Sequence, residues 1–172
     1  KKKIPTSVEK LLKDIELLIN QKKFTTASKI LENLITKKNL NYKLYFYYAC
    51  CLFELNQIKK SIIYFNKVEE LQPDFFLAKL NHSLALQRLG KLEESIQAYQ
   101  KALEIQPKSA EAYYNLGNAL REQGRLEESI QAYQKAFEIQ PNHPEAYNNL
   151  GNALREQGRL EESIQAYQKA LE

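Results

Sequence analysis

Residues 115–136 read NLGNALREQGRLEESIQAYQKA, and residues 149–170 repeat them without a change. The offset is 34 residues, and one further step upstream the segment LEESIQAYQK stands at 92–101. Exact recurrence at this spacing marks a supersecondary unit stacked on copies of itself, because a unit this short cannot bury its apolar face alone. Carried backwards, the frame sets units at 8–41, 42–75, 76–109 and 110–143, then an incomplete fifth at 144–172, with residues 1–7 as a lead-in.

Each unit reads as two helices. In the fourth, the first runs over about 110–123 and stops at Gly124, since glycine takes the left-handed conformation past a helix end without a steric penalty. Gly90 and Gly158 hold the same place, Asn56 substitutes for them in the second unit, and Lys22 is the exception in the first. The second helix runs over about 126–139 and ends before Pro141, which Pro73 and Pro107 match. Pro144 suits the first turn of the next helix, and Thr6 with Glu9 forms a capping box at the start. The expectation is ten helices in five antiparallel pairs and no strand.

Side-chain size predicts how the helices meet. Ala49, Ser83, Gly117 and Gly151 share one position of the first helix, and Ala27, Ser61, Ser95, Ser129 and Ser163 one position of the second. Small residues facing each other let two backbones approach closely. Leu31, Phe65, Tyr99, Tyr133 and Tyr167 then supply the large side chain that fills the gap between pairs.

These features together resemble the tetratricopeptide repeat: the small residue and following glycine of the first helix, the Ala or Ser and the aromatic of the second, Ala102, Ala136 and Ala170 near its end, and the closing proline. The resemblance covers residues 8–172 and is looser in the first unit, which lacks the glycine and the proline. It implies an all-α fold, a right-handed superhelical solenoid of antiparallel helix pairs. It also implies a concave groove, lined by the first helices, that binds a peptide or protein segment and does no chemistry of its own.

Composition agrees with a helical, noncatalytic reading. The chain has 172 residues, 44% of them apolar, with only 5 Gly and 5 Pro, too few for the closely spaced turns of a β-sandwich or barrel. The longest uninterrupted apolar run, from Leu44 to Phe53, is about half the length that spans a bilayer, so no membrane segment is expected. Residues 1–41 hold ten lysines against four acids. Because these lysines are scattered among leucines and isoleucines at helical spacing, they read as a solvated face, and no nucleic-acid partner is expected.

Neither chemistry nor a cofactor is expected. The only cysteines, Cys50 and Cys51, are neighbours, which builds neither a disulfide framework nor a four-ligand metal site; as free thiols they point to the cytoplasm. His82 and His143 belong to no metal-ligand spacing, and the acid pairs Glu93-Glu94, Glu127-Glu128 and Glu161-Glu162 open second helices, where carboxylates suit the helix dipole.

With first helices facing a groove, the peptide-binding candidates of the second unit are Phe46, Tyr47, Cys50 and Phe53, on a helix apolar all round. The third unit adds Leu77, Leu80 and Leu84 with Asn81 between them, an apolar patch of the kind that marks binding surfaces. The alternative is a rotated helix that buries these leucines, and Lys79 and His82 at nominal core positions favour it. The fourth and fifth units present Asn115, Asn118, Asn149 and Asn152, a ladder of amides able to grip a peptide backbone or simply to solvate the groove.

The NLGN stretches are similar to the repeat region of O-linked N-acetylglucosamine transferases, which keeps open the reading of a substrate-targeting array of a larger enzyme; a consensus-like structural array is a third. The carboxylate clamp of chaperone-binding repeats is not expected, because its places hold Phe46, Cys50, Asn81, Glu111 and Asn115 in place of the family's lysines and arginine. The expected partner is therefore a protein or an extended peptide. At the far end, Leu160, Ile164, Tyr167 and Leu171 lack a following helix to cover them. That predicts a cut from a longer array and self-association through an open C-terminal face.

Overall fold

The structure, a computed structural model, describes residues 6–36 and 41–171, with side chains from Glu9 onward. Among the described residues ten helices follow one another: α1 (Thr6–Asn20), α2 (Phe24–Thr36), α3 (Tyr42–Glu54), α4 (Ile58–Leu71), α5 (Phe76–Arg88), α6 (Leu92–Ile105), α7 (Ala110–Glu122), α8 (Leu126–Ile139), α9 (Pro144–Glu156) and α10 (Leu160–Lys169). Among the described residues no strand occurs. The all-α expectation and the helix bounds of the fourth unit hold to within a residue.

Local chemistry explains where the helices begin. The Ser109 hydroxyl accepts from the Ala112 amide at 3.2 Å and opens α7, and the Asn41 side chain accepts from the Lys43 amide at 3.0 Å before α3. At α9 Pro144 occupies the first turn and the imidazole Nδ1 of His143 accepts from the Ala146 amide at 3.2 Å, so this histidine is a cap. The capping box at Thr6 lies outside the residues whose side chains are described.

The turn inside every pair has one geometry. Gly90, Gly124 and Gly158 have φ of 80°, 80° and 82°, and the non-glycine residues Lys22 and Asn56 have 57° and 59°. The first unit thus makes the same left-handed turn as the others despite its lysine. In each turn the residue after the left-handed one reaches back along the helix, the Lys23 amide to the Leu18 carbonyl and the Arg125 amide to the Leu120 carbonyl, both at 2.9 Å.

The chain divides into two compact units, one up to Ala85 and one from Leu86. In the first, α1 packs on α2 and α3, α2 on α3, and α3 on α4, around Leu12, Ile15, Leu31, Leu44 and Tyr48. In the second, each helix from α6 to α10 packs on the next except that α7 also touches α9, around Ile130, Tyr133, Ala153 and Leu154. Each such fully buried side chain is worth roughly 1.5–3 kcal/mol over its exposed state.

The small positions meet as expected. The Ser129 hydroxyl donates to the Gly117 carbonyl at 2.7 Å and Ser163 to the Gly151 carbonyl at 2.8 Å. A Cβ on Gly117 would stand 2.7 Å from the Tyr133 ring, and one on Gly151 would stand 2.5 Å from the Tyr167 ring. Glycine is there because the tyrosine ring of the second helix lies flat against the first.

Candidate peptide-binding site

Four of the residues that the sequence proposed as binding residues come together. Cys50 and Phe53 of α3, with Asn81 and Leu84 of α5, line a pocket of about 100 Å³ that Phe65 of α4 and Glu54 complete. The Asn81 amide donates to Cys50 Sγ at 3.6 Å. Phe65 is fully buried, so the pocket is carved on a fixed aromatic wall. Its volume suits one aliphatic side chain and is below the ~150 Å³ cavity that admits benzene. Burial pushes the Cys50 thiol up to about 12, and burial likewise raises Cys51 to about 12. Both are therefore protonated at neutral pH, apolar surface in effect and poor nucleophiles.

Two other candidates are not exposed. Phe46 is 8% exposed, because Phe75 from the loop after α4 covers it in an edge-to-face contact at 5.0 Å, while Tyr47 and Phe65 flank it. Leu80 is 3% exposed. The expectation that both lie on the groove surface is corrected: they belong to the interior. Leu77 is 47% exposed and Leu84 half-buried, so only part of the leucine patch is open. Tyr47 is half-buried, and its hydroxyl donates to the Glu16 carboxylate of α1.

A polar cluster joins α4 to α5. Glu69 of α4 accepts from Lys79 Nζ at 3.1 Å and meets His82 Nδ1 at 2.7 Å, and the His82 ring stacks on Phe65. Burial raises the Glu69 carboxyl, but the hydrogen bonds from His82 and Lys79 outweigh it and hold the group below its usual value. In the repeat frame these positions carry Leu103, Tyr113 and Leu116 one unit later, and Phe137, Tyr147 and Leu150 two units later. Reading the three polar residues as one substitution of an apolar junction was possible from sequence. Phe75, by contrast, lies in a loop outside the helical periodicity, and nothing in that periodicity signals that it covers Phe46.

The asparagines of α7 and α9 are largely engaged by their own array. Asn118 Oδ1 accepts from the Tyr133 hydroxyl at 2.7 Å and from Asn149 Nδ2 at 2.9 Å; Asn149 also donates to the Tyr114 hydroxyl at 2.9 Å. Asn152 Oδ1 accepts from the Tyr167 hydroxyl at 2.8 Å. Asn115 is half-buried and its side chain makes no hydrogen bond among the described residues. The ladder therefore ties helices together first, and an amide turned to solvent is left over at only some rungs. Among the described residues no cluster of metal-ligating side chains occurs, and no helix is long and apolar enough to cross a membrane.

Helices paired through small residues and a tyrosine, with a left-handed turn inside each pair, define a tetratricopeptide repeat protein. Family comparison agrees: signatures described as tetratricopeptide repeat match residues 42–75 and 108–172, and one described as TPR repeat matches 84–120. Together they span more than half of the chain, and the chain is a tetratricopeptide repeat protein. No curated protein matches its sequence.

Among solved structures it is similar to MamA 41-end from Desulfovibrio magneticus RS-1, with a TM-score of 0.87 and 20% identity over 94% of this chain and 92% of that one. A second crystal structure of MamA gives 0.85 and 22% over 91% and 92%. YrrB, described as a TPR protein with an unusual peptide-binding site, gives 0.78 and 18% over 91% and 81%. At these identities the likeness is one of fold.

Proposed function

We propose that this protein is a noncatalytic scaffold that holds an extended peptide or protein segment, anchored by one aliphatic side chain in the pocket of Cys50, Phe53, Asn81 and Leu84. The observation that carries the reading is the pocket itself: four residues from two first helices converge on a buried phenylalanine and leave room for a side chain. An apolar niche with one amide at its wall binds an anchor residue and a neighbouring backbone group, which is how recognition of extended segments gains specificity. The fold-level likeness to YrrB, a protein described as having a peptide-binding site, supports the same class. In the second unit, Asn115 and the free amide edges of Asn118 and Asn152 offer separate backbone contacts, consistent with a ladder that grips a peptide.

A displayed library of random peptides selected against the immobilised protein tests this. Peptides sharing an aliphatic anchor are expected, with affinity lost about tenfold or more in Leu84→Asp and Phe53→Ala while the helical circular dichroism is kept. Selected peptides that bind both variants as well as the parent, or an empty selection, would overturn the assignment.

A further inference from the structure

The pocket of the second repeat stands where the later repeats keep a tethered hydroxyl. Tyr99, Tyr133 and Tyr167 share one repeat position, and its occupant in the second repeat is Phe65. The Tyr99 hydroxyl donates to Gln87 Oε1 at 3.2 Å, that of Tyr133 to Asn118 Oδ1 at 2.7 Å and that of Tyr167 to Asn152 Oδ1 at 2.8 Å. Whole periods of 34 residues relate Gln87 to Phe53, and Asn118 and Asn152 to Cys50. Phe53, Cys50 and Phe65 all line the pocket.

One member of this network is kept. Asn81 corresponds to Asn149 two periods later, and as Asn149 donates to Asn118 at 2.9 Å, Asn81 donates to Cys50 Sγ at 3.6 Å. Elsewhere the later repeats reuse one set of contacts: Glu93 accepts from Gln123 at 3.0 Å and, one period on, Glu127 accepts from Gln157 at 2.8 Å. The second repeat has the donor amide of the network without its hydroxyl and its acceptor amide, and the pocket of about 100 Å³ lies in their place.

Phe65 is held without a hydroxyl. It is fully buried, its ring stacked on His82 at 6.2 Å and tilted against Phe46 at 6.4 Å, so it does not fold forward into the pocket. A side chain entering there meets an aromatic hydrocarbon and a protonated thiol, against which an aliphatic group gives up no hydrogen bond.

We propose that Phe65, together with Cys50, determines the specificity of this pocket: the second repeat admits an aliphatic side chain of the bound segment at the place that the Tyr–Asn pairs of the fourth and fifth repeats fill. The inference rests on the peptide-binding reading above and names the residues that decide which anchor is taken.

Peptide selections on the parent and on two variants test it. The double change Phe65→Tyr and Cys50→Asn installs the pair of the later repeats, and Phe65→Leu installs the residue that the first repeat buries at this position as Leu31. With helical circular dichroism kept, the double change should weaken binding of leucine-anchored peptides about tenfold or more, and Phe65→Leu should turn the selection from aliphatic to aromatic anchors. Opposite shifts in anchor size are not what a general loosening of the core gives. Parent-like anchors and affinities in either folded variant, while Leu84→Asp still loses binding, would overturn this inference and leave the peptide-binding reading standing; no anchored peptide on the parent would overturn both. Loss of the fold in both variants would also overturn it, since each carries a residue that neighbouring repeats bury at that position.

Discussion

At the turn of the first repeat a single side chain sits where the other repeats, save one, place glycine. Lys22 holds φ of 57°, a conformation that costs a residue with a Cβ about 1 kcal/mol. Lys22→Gly is therefore expected to stabilise the protein by about that much, read as a shift of the urea midpoint without a change of slope. The opposite holds at Gly117, whose missing Cβ makes room for the Tyr133 ring 2.7 Å away. Because that ring is fully buried and tied to Asn118, it does not yield, and Gly117→Ala should cost on the order of 1–3 kcal/mol, measured by thermal melting. Gly124→Ala is the informative control: nothing lies within 4 Å, so only its φ of 80° is penalised and the loss should be nearer 1 kcal/mol.

Between elements, the junction of α4 with α5 differs in kind from that of α8 with α9. The latter stacks Phe137 on Tyr147 at 3.9 Å; the former sets Glu69 between Lys79 and His82 at the same repeat positions. A carboxyl held below its usual value stabilises the fold at pH above the unfolded value, about 4.3, and that contribution is lost as pH falls through the folded value. Melting temperature should drop on acidification below that point. The triple change Glu69→Leu, Lys79→Tyr and His82→Leu, which installs the residues of the next unit, should remove this component of the drop. Glu69→Leu alone should destabilise by roughly 1–3 kcal/mol at neutral pH, because it strands Lys79 and His82 without their acceptor.

The same pair of junctions shows what the letters reveal. The helix bounds, the left-handed turns and the Tyr-on-Gly contact follow from recurrence at 34 residues, since identical segments meet identical neighbours. Where the units diverge, helical periodicity assigns faces without knowing what covers them. Hence Phe46 and Leu80 read as surface and are interior, while their neighbours Cys50, Phe53, Asn81 and Leu84 do line a pocket. Phe46 is covered by Phe75, a loop residue that helical periodicity does not place.

At the scale of the molecule, stability is a sum of repeats and junctions, with one core around Leu31 and Tyr48 and another around Tyr133 and Leu154. Unfolding is then not all-or-none. Calorimetry should give a van't Hoff enthalpy below the calorimetric one, and hydrogen exchange should give the core around Leu31 and Tyr48 and the core around Tyr133 and Leu154 different protection. Coincident exchange of the two cores would contradict this. The interlocking of Glu93 with Gln123 and of Glu127 with Gln157 has a genetic consequence. Because these two junctions are made of the same parts, unequal crossing-over between the identical segments 115–136 and 149–170 duplicates or deletes one 34-residue period and leaves the boundaries it creates with partners they already fit. The number of these identical repeats is thus free to drift in evolution while their contacts stay fixed.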